Sequence, residues 1–313
     1  IQHPCFTYKE AEYDTRQMAQ RLSSMEGSDS ELGTLLERKK NEVLLENKII
    51  ANRGDEDVIR EASTALYGTP GENLVSHADE LLKTLPNIDP EKPVSAETLR
   101  HALQESLDDH GLDWTVEFSD KKMVTVYASE KEITVCRDKS FAKDSPERLK
   151  VHEVQVHALR AANGYMQPLT IFALGLPGYL STEEGLAAYA EEVTGNTNPQ
   201  MLRNYASKVI AIDSVCKNLN FRQTFDRLKS YDLSHSQAWT AAVRAHRAGG
   251  FIKDHVYLKG YKKIREYAGD FDTLYVGKVG VEDVPMIQRL VRDGTLLAPT
   301  YRPDFLKQHS TYQ

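Results

Sequence analysis

The spacing of apolar positions predicts that the first third of the chain is mostly helical. Between residues 8 and about 110, apolar residues recur every three or four positions, as in ELGTLLERKKNEVLLENKII. This is the period of an amphipathic helix. SAETLRHALQESLDDHG repeats the pattern, with Ser95 as its expected N-cap and Gly111 as its end.

The pattern changes in the segment WTVEFSDKKMVTVYASEKEITVCRDKSF, where apolar and polar residues alternate and β-branched residues are frequent. Alternation with a period of two is typical of half-buried strands, and the polar stretches SDKK and ASEKE favour tight turns. We therefore predict three short antiparallel strands here. DTLYVGKV, near the C-terminus, is predicted to form another strand.

Helical patterns return after the predicted sheet. DSPERLKVHEVQVHALRAANG has Ser145 as a candidate N-cap, Pro146 in its first turn and Gly164 at its end. The next helix is predicted to open at Ser181, in STEEGLAAYAEEV. Further helices are expected from Pro199 to about Arg247, in FIKDHVYLKGYKKIREYAG and in VEDVPMIQRLVRDG.

These elements define an α+β fold class that is mostly helical, with a small antiparallel sheet directly before the helix that carries HEVQVH. We divide the chain into a helical N-terminal portion, residues 1–110, and a core, residues 111–313, which holds the candidate chemistry. No linker separates the two portions, so we expect them to form one integrated domain.

Composition and charge narrow the function classes. The 313 residues are 40% hydrophobic and 27% charged, which is ordinary for a globular protein. A net charge of -7 argues against general nucleic-acid binding, which requires clustered Lys and Arg. No apolar run reaches the roughly 18 residues of a membrane span. Three sparse cysteines favour a reducing compartment, so we expect a cytoplasmic protein without nucleic-acid or membrane partners.

HEVQVH, residues 152–157, is the first candidate for chemistry. Its histidines are five positions apart, whereas those of the zinc-protease motif H-E-x-x-H are four apart. In an α-helix, residues five apart point about 140° away from each other and cannot hold one metal. A π-bulge inserts one residue into a turn and restores a shared face. If His152 and His157 share a metal, the helix is therefore widened between Val154 and His157; otherwise they are two histidines of an ordinary helix.

Glu184, in TEEGLA, is the expected third ligand. Catalytic zinc usually takes three protein ligands and leaves a fourth position to water. Alternatively, Glu184 occupies the third position of a capping box that opens at Ser181. Glu183 competes with it for the metal but is expected to face solvent. Glu153 would point towards a metal-bound water and take up its proton during attack.

RAHRAGGFIKDHVYLKG concentrates groups that can bind a substrate carboxylate or a developing oxyanion, namely Arg244, Arg247, Lys253 and Tyr257. Solvated helix faces and ends explain any one of these side chains equally well. Asp254 is expected either to pair with one of the cations or to hold a ligating histidine.

HEVQVHALRAANG, LPGYLSTEEGLAAYAEE and FIKDHVYLKG together resemble the microtubule-associated tyrosine carboxypeptidase family, whose bacterial members carry a motif called QEGLA. H-E-x-x-x-H alone is a weak signal, but its combination with G-Y-L-x-T-E-E-G-L-A and K-D-x-x-Y-L-x-G is specific. The resemblance covers nearly the whole chain. Two departures are Gln155-Val156, where Gly-Thr is expected, and Glu183, where the bacterial motif has Gln.

The resemblance implies a zincin-like zinc metallocarboxypeptidase in which His152, His157 and Glu184 hold the metal. It implies the role of catalytic base for Glu153 and a preference for a C-terminal aromatic residue, Tyr or Phe. Eukaryotic relatives remove a C-terminal tyrosine from tubulin. This sequence has no long basic extension of the kind that a microtubule binder needs, so we expect a peptide or protein C-terminus as substrate without specifying tubulin.

A C-terminal carboxylate requires a cation in the pocket. We expect Arg247 and Lys253, with Arg244 beside them, to supply it, and Tyr257 to act as the partner of the oxyanion or carboxylate.

Two other functions are compatible with the same residues. One is a zinc endopeptidase or amidase that uses the same metal site. The other is a regulatory or binding protein in which the metal is structural, although Glu153 has no use in such a site. Two histidines and one glutamate with an open position favour zinc over other divalent ions.

Overall fold

The structure is a computed structural model that describes residues 4–120, 124–247 and 253–307. Most of the described residues are helical. The helices, in chain order from α1 to α16, are Thr15–Ser23, Glu31–Ala51, Glu56–Tyr67, Glu72–Thr84, Ala96–Asp109, Ser145–Leu149, Leu159–Tyr165, Ile171–Leu174, Tyr179–Val193, Pro199–Cys216, Phe221–Lys229, His235–His246, Val256–Arg265, Phe271–Leu274, Val284–Arg292 and Asp304–Lys307. Within the described ranges, no helix has the length and apolar character needed to cross a bilayer.

Five short strands accompany the helices. They are β1 Val94–Ser95, β2 Thr115–Ser119, β3 Val124–Tyr127, β4 Glu132–Cys136 and β5 Ser140–Phe141. Short 3-10 segments occur at Ala128–Glu130, Lys253–His255 and Val281–Asp283. The predicted α+β class, mostly helical with small sheets, is confirmed.

The chain forms two compact units, each built from two stretches. Unit 1 comprises residues 1–88 and 198–259, and unit 2 comprises residues 89–197 and 260–313. These units are defined by spatial contacts; the sequence-based division after residue 110 stays a prediction.

Unit 1 is helical, and its helix starts follow the local sequence. Ser30 caps α2 by accepting a hydrogen bond from the Gly33 N–H, and Ser234 and Gln237 form a capping box at the start of α12. Helix α10 packs on α4. Its buried Arg203 donates to the carbonyls of Leu82 and Leu85 at the C-terminal end of α4, which joins the two helices.

The three-stranded sheet of unit 2 has the order β2-β4-β3. Strand β4 pairs antiparallel with β3 but parallel with β2, so the prediction of a purely antiparallel sheet is wrong for β2. Burial gives the physical reason. Ile133 to Cys136 in β4 are buried at consecutive positions, whereas every residue of β3 is only half-buried. The strand that is buried on both faces therefore takes the centre.

The core of unit 2 lies between three helical segments. The apolar face of α5, with Leu99, Leu103 and Leu107, packs in one cluster with Val154 of HEVQVH and Leu186 of α9. Ser95 caps α5 as predicted by accepting from Thr98 N–H. This packing fixes the HEVQVH helix against α9, which carries TEEGLA.

DTLYVGKV is not a strand, contrary to the prediction. Phe271–Leu274 is a short helix and the following residues form turns. Every residue from 273 to 280 is buried, so the segment does not expose alternate positions as a half-buried strand would. The sequence also predicts that Gly249-Gly250 interrupts the helical pattern. These two glycines and the start of FIKDHVYLKG lie outside the described residues.

Candidate metal centre

The helix that carries HEVQVH is widened. Lys150–Ala158 form a π-helix between α6 and α7, and its last turn is closed by a bond from the Leu159 N–H to the Val154 carbonyl. Hydrogen bonds in a π-helix join residues five apart, so such residues lie over one another. The rings of His152 and His157 accordingly lie 4.9 Å apart. The predicted widening between Val154 and His157 is confirmed, and it extends over nine residues rather than one bulge.

A buried tyrosine supports the point where the π-helix returns to α geometry. The Leu159 N–H donates to the Val154 carbonyl, five residues back, whereas an α-helix would use the Gln155 carbonyl, four residues back. The Gln155 carbonyl therefore does not receive this bond. The hydroxyl of Tyr275 donates to that carbonyl at 2.9 Å. Tyr275 is fully buried, and burial raises the pKa of its hydroxyl well above the ordinary value, so it remains a donor.

We expect Tyr275→Phe to lower the free energy of unfolding by about 1–3 kcal/mol, because the part-buried Gln155 carbonyl loses its donor. Urea denaturation measures the change. Tyr267→Phe is the matched control, since its hydroxyl donates to the Asp270 carbonyl at an exposed position. Equal effects of the two substitutions would mean that Tyr275 does not support the π-helix.

Helix α9 brings Glu184 to the two histidines. One ligand atom from each of His152, His157 and Glu184 lies within 4.8 Å of the other two. Ser181 is not an N-cap, contrary to the prediction, because α9 already begins at Tyr179 and Gly178 precedes it. Glu184 therefore lies within the helix, and the capping-box interpretation of this residue is wrong.

Two further glutamates of α9 hold the outer nitrogens of the histidines. His152 Nδ1 donates to Glu191 Oε1 at 2.7 Å, and His157 Nδ1 donates to Glu183 Oε1 at 2.8 Å. Glu183 was expected to face solvent, and this is wrong: only 2% of the residue is exposed. Glu183 can be buried beside the site because cations contact its carboxylate.

Two buried cations also contact the Glu183 carboxylate. Arg160, which is fully buried, donates to Glu183 and also to the carbonyls of Leu274 and Val279. Lys278 Nζ lies 3.4 Å from Glu183. Burial raises the pKa of Glu183, but the charges of Arg160 and Lys278 and the bond from His157 outweigh it and hold the pKa far below its usual range. Glu183 is therefore a permanent anion behind His157.

His152 sits in a strongly negative environment. Burial lowers its pKa, but the bond to Glu191 and the charges of Glu153, Glu191 and Glu184 together raise it to about 9. Several carboxylates thus converge where the two histidine rings meet. Such a concentration of negative charge is the electrostatic condition for holding a cation.

The donor set is compatible with a zinc ion. Both Nδ1 atoms donate to carboxylates, so in the neutral form of each ring the lone pair lies on Nε2. His152 Nε2 lies 4.0 Å from Glu184 Oε2. Zinc ligands at 2.0–2.2 Å in tetrahedral geometry are separated by about 3.4 Å, so small side-chain rotations suffice.

Glu153 lies beside the first histidine and is half-buried in the π-helix. Within the described ranges its carboxylate accepts no hydrogen bond and forms no ion pair, unlike Glu183 and Glu191. A carboxylate without protein partners next to a candidate ligand is available for proton transfer.

The predicted substrate-binding residues lie in unit 1. Arg244, Arg247, Lys253 and Tyr257 line one open cavity of about 870 Å³, which also has Arg53 in its wall. Arg244 binds the buried Asp254 through two bonds of 2.5 and 2.8 Å, so Asp254 pairs with a cation, the first of its two predicted alternatives. The ring of Tyr257 stacks on Tyr205, and Lys208 Nζ lies 3.6 Å from its centre.

The sequence analysis missed the residues that support the site. Glu191 carries a usable signal, because it follows Glu184 by seven positions, two helical turns, and so shares its face of α9. Tyr275 and Lys278 carry none, since only the tertiary fold brings residues from the second stretch of unit 2 to the π-helix. Arg160 follows the π-helix directly, but its pairing with Glu183 also depends on the tertiary fold.

Two histidines and a glutamate lie at one point, and the carboxylate beside the first histidine has no hydrogen bond or ion pair among the described residues. Hydrolases with a catalytic metal use a residue set of this kind. A sequence model of the family described as microtubule-associated tyrosine carboxypeptidase matches residues 1–313. The chain belongs to this family, which confirms the resemblance and assigns it a carboxypeptidase-type function on a peptide substrate. A search of curated proteins finds no match for the chain.

Proposed function

We propose that this protein is a zinc-dependent metallocarboxypeptidase that hydrolyses the C-terminal peptide bond of its substrate. His152, His157 and Glu184 would hold the zinc. The observation that carries the proposal is the convergence of these three ligand atoms within 4.8 Å, produced by a π-helix that brings histidines five apart onto one face. The family match supports the carboxypeptidase reaction independently.

Bound zinc would polarise the scissile carbonyl and lower the pKa of water at the centre. The chain's own residues transfer the protons. Glu153 takes the proton of the attacking water and passes it to the leaving amine, because its carboxylate has no competing partner in the described part of the chain. A structural metal site would have no use for such a group, which argues against the alternative of a binding protein.

Arg247, Lys253 and Arg244, the residues predicted to bind the substrate's terminal carboxylate, line one cavity of unit 1, and their role stays a prediction. Arg247 is exposed and Lys253 half-buried at the cavity of about 870 Å³. Asp254 holds Arg244 in the cavity wall, which Tyr257 also lines. We propose Tyr or Phe as the released residue on the strength of the family's name, which specifies tyrosine.

Metal analysis of the purified protein is the first test. We expect about one equivalent of zinc in the wild type and little in His157→Ala, because a site with two protein ligands binds zinc poorly. His101→Ala is the matched control, since His101 is largely exposed and pairs with Glu97 at the surface. Absence of zinc from the wild type, even after zinc is added back, would refute the metal assignment.

The reaction is tested on peptides that differ only at the C-terminal residue, with Tyr, Phe, Ala and Lys as end groups. Mass spectrometry should detect loss of one residue, fastest for Tyr and Phe. The same peptides with amidated C-termini should be resistant, because the cations then have no carboxylate to bind. Cleavage of amidated or internal bonds would favour the endopeptidase alternative.

A further inference from the structure

Both histidines of HEVQVH are held from the same helix and through the same nitrogen. Glu191 Oε1 accepts from His152 Nδ1 at 2.7 Å, and Glu183 Oε1 accepts from His157 Nδ1 at 2.8 Å. An ionised carboxylate can only accept, so the proton of each neutral ring lies on Nδ1 and the lone pair on Nε2. A histidine without such a partner can rotate or adopt the other tautomer.

We infer that Glu191 and Glu183 are positioning residues of the proposed metal centre, each fixing the ring orientation and tautomer of one ligating histidine. The inference rests on the proposed function, since it requires that the site binds metal. Helix α9 would then supply three carboxylates, with Glu184 as ligand and the other two behind the histidines. Partners of this kind typically contribute 10–100-fold to metal affinity.

The spacing along α9 shows how one helix can serve both histidines. Glu191 follows Glu184 by two turns and lies on the same face, towards His152. Glu183 is adjacent to Glu184 and turned by about 100°, which directs it behind His157. Gly185 allows α9 to pack closely against the backbone of Gly260, because a Cβ at position 185 would lie 2.2 Å from that backbone. This close packing lies directly beside Glu183 and Glu184 in α9.

The burial of Glu191 argues against a purely structural role. The residue is fully buried, and its Oε1 receives bonds from both His152 and Arg148. Its Oε2 has no hydrogen-bond partner among the described residues. A buried carboxylate oxygen without a partner lowers stability, so packing alone would favour an apolar side chain. Orienting a metal ligand explains why a carboxylate stands here.

The test measures zinc affinity by competition with a chromophoric chelator for wild type, Glu191→Ala, Glu191→Gln and Glu183→Gln. We expect Glu191→Ala to bind zinc 10–100-fold more weakly. Glu191→Gln should lose less, because an amide oxygen still accepts from Nδ1. Arg148 is partly exposed and can return to solvent, so the Glu191 variants are expected to fold. Glu192→Gln on the same helix is the matched control, since Glu192 pairs with Arg265 and contacts neither histidine.

Two readouts separate positioning from a general loss of structure. Thermal unfolding of the metal-free proteins checks that the variants are folded, and the visible absorption of the cobalt-substituted proteins reports the geometry around the metal. We expect the cobalt spectrum to change in Glu191→Ala while Glu192→Gln keeps the wild-type spectrum. Wild-type affinity and an unchanged spectrum in both Glu191→Ala and Glu183→Gln would overturn the inference. If the wild type itself bound no zinc, the proposed function would fall first.

Discussion

Replacing Glu153 by glutamine is expected to slow peptide hydrolysis severely while the zinc stays bound. The amide has the size of the carboxylate but cannot take up a proton, so only the base is lost. General base catalysis contributes about 10²–10⁴-fold, and we expect kcat to fall by this factor. The measurement is kcat on the best peptide, with metal content determined on the same preparation.

The control for this variant is Glu147→Gln, the same substitution on the preceding helix, where Glu147 pairs with Lys150 at the surface. It should keep wild-type activity. Activity retained in Glu153→Gln would assign the base to another residue. Zinc lost from Glu153→Gln would mean that Glu153 is itself a ligand, and the assignment of Glu184 would have to be revised.

Periodicity was a sufficient guide to the helices and to the existence of the sheet, since α2, α5 and the three β segments lie where the pattern predicts them. Periodicity did not predict which strands pair in parallel, and it did not predict a segment that is buried at every position. Sequence alternation is the same for parallel and antiparallel edges, so the place of β4 between β2 and β3 could not be read from it. DTLYVGKV was predicted to be a strand because a strand and a buried turn can have the same pattern of apolar residues.

The candidate ligands were predictable because the motif constrains geometry. Histidines five apart can meet at one point only in a widened helix, and that widening is present. The supporting charges were not predictable in the same way. Glu183 looked solvent-exposed because the cations that neutralise it, Arg160 and Lys278, lie on other elements that only the tertiary fold brings to α9. A buried carboxylate becomes tolerable only when the fold brings such partners to it.

Arg160 is the residue on which these buried groups depend, and Arg160→Met is expected to lower the free energy of unfolding by about 3–5 kcal/mol. The guanidinium is fully buried and donates to Glu183 and to the carbonyls of Leu274 and Val279. Methionine fills similar space but has no donor. The charge of Glu183 would then be only partly compensated, by Lys278 and His157, and two buried carbonyls would lose their bonds.

Urea denaturation of the metal-free protein measures this loss, with Arg222→Met as control. Arg222 pairs with Asp226 on an exposed helix face, so its replacement should change the free energy of unfolding by no more than about 0.5 kcal/mol. The double variant Arg160→Met with Glu183→Gln should lose less than the sum of the single variants, because removing the anion removes the need for the cation. A loss in Arg160→Met as small as that in Arg222→Met would show that Glu183 does not require this partner. Coupling between Arg160 and Glu183 would show that the stability of unit 2 depends on the negative charge that lies behind His157.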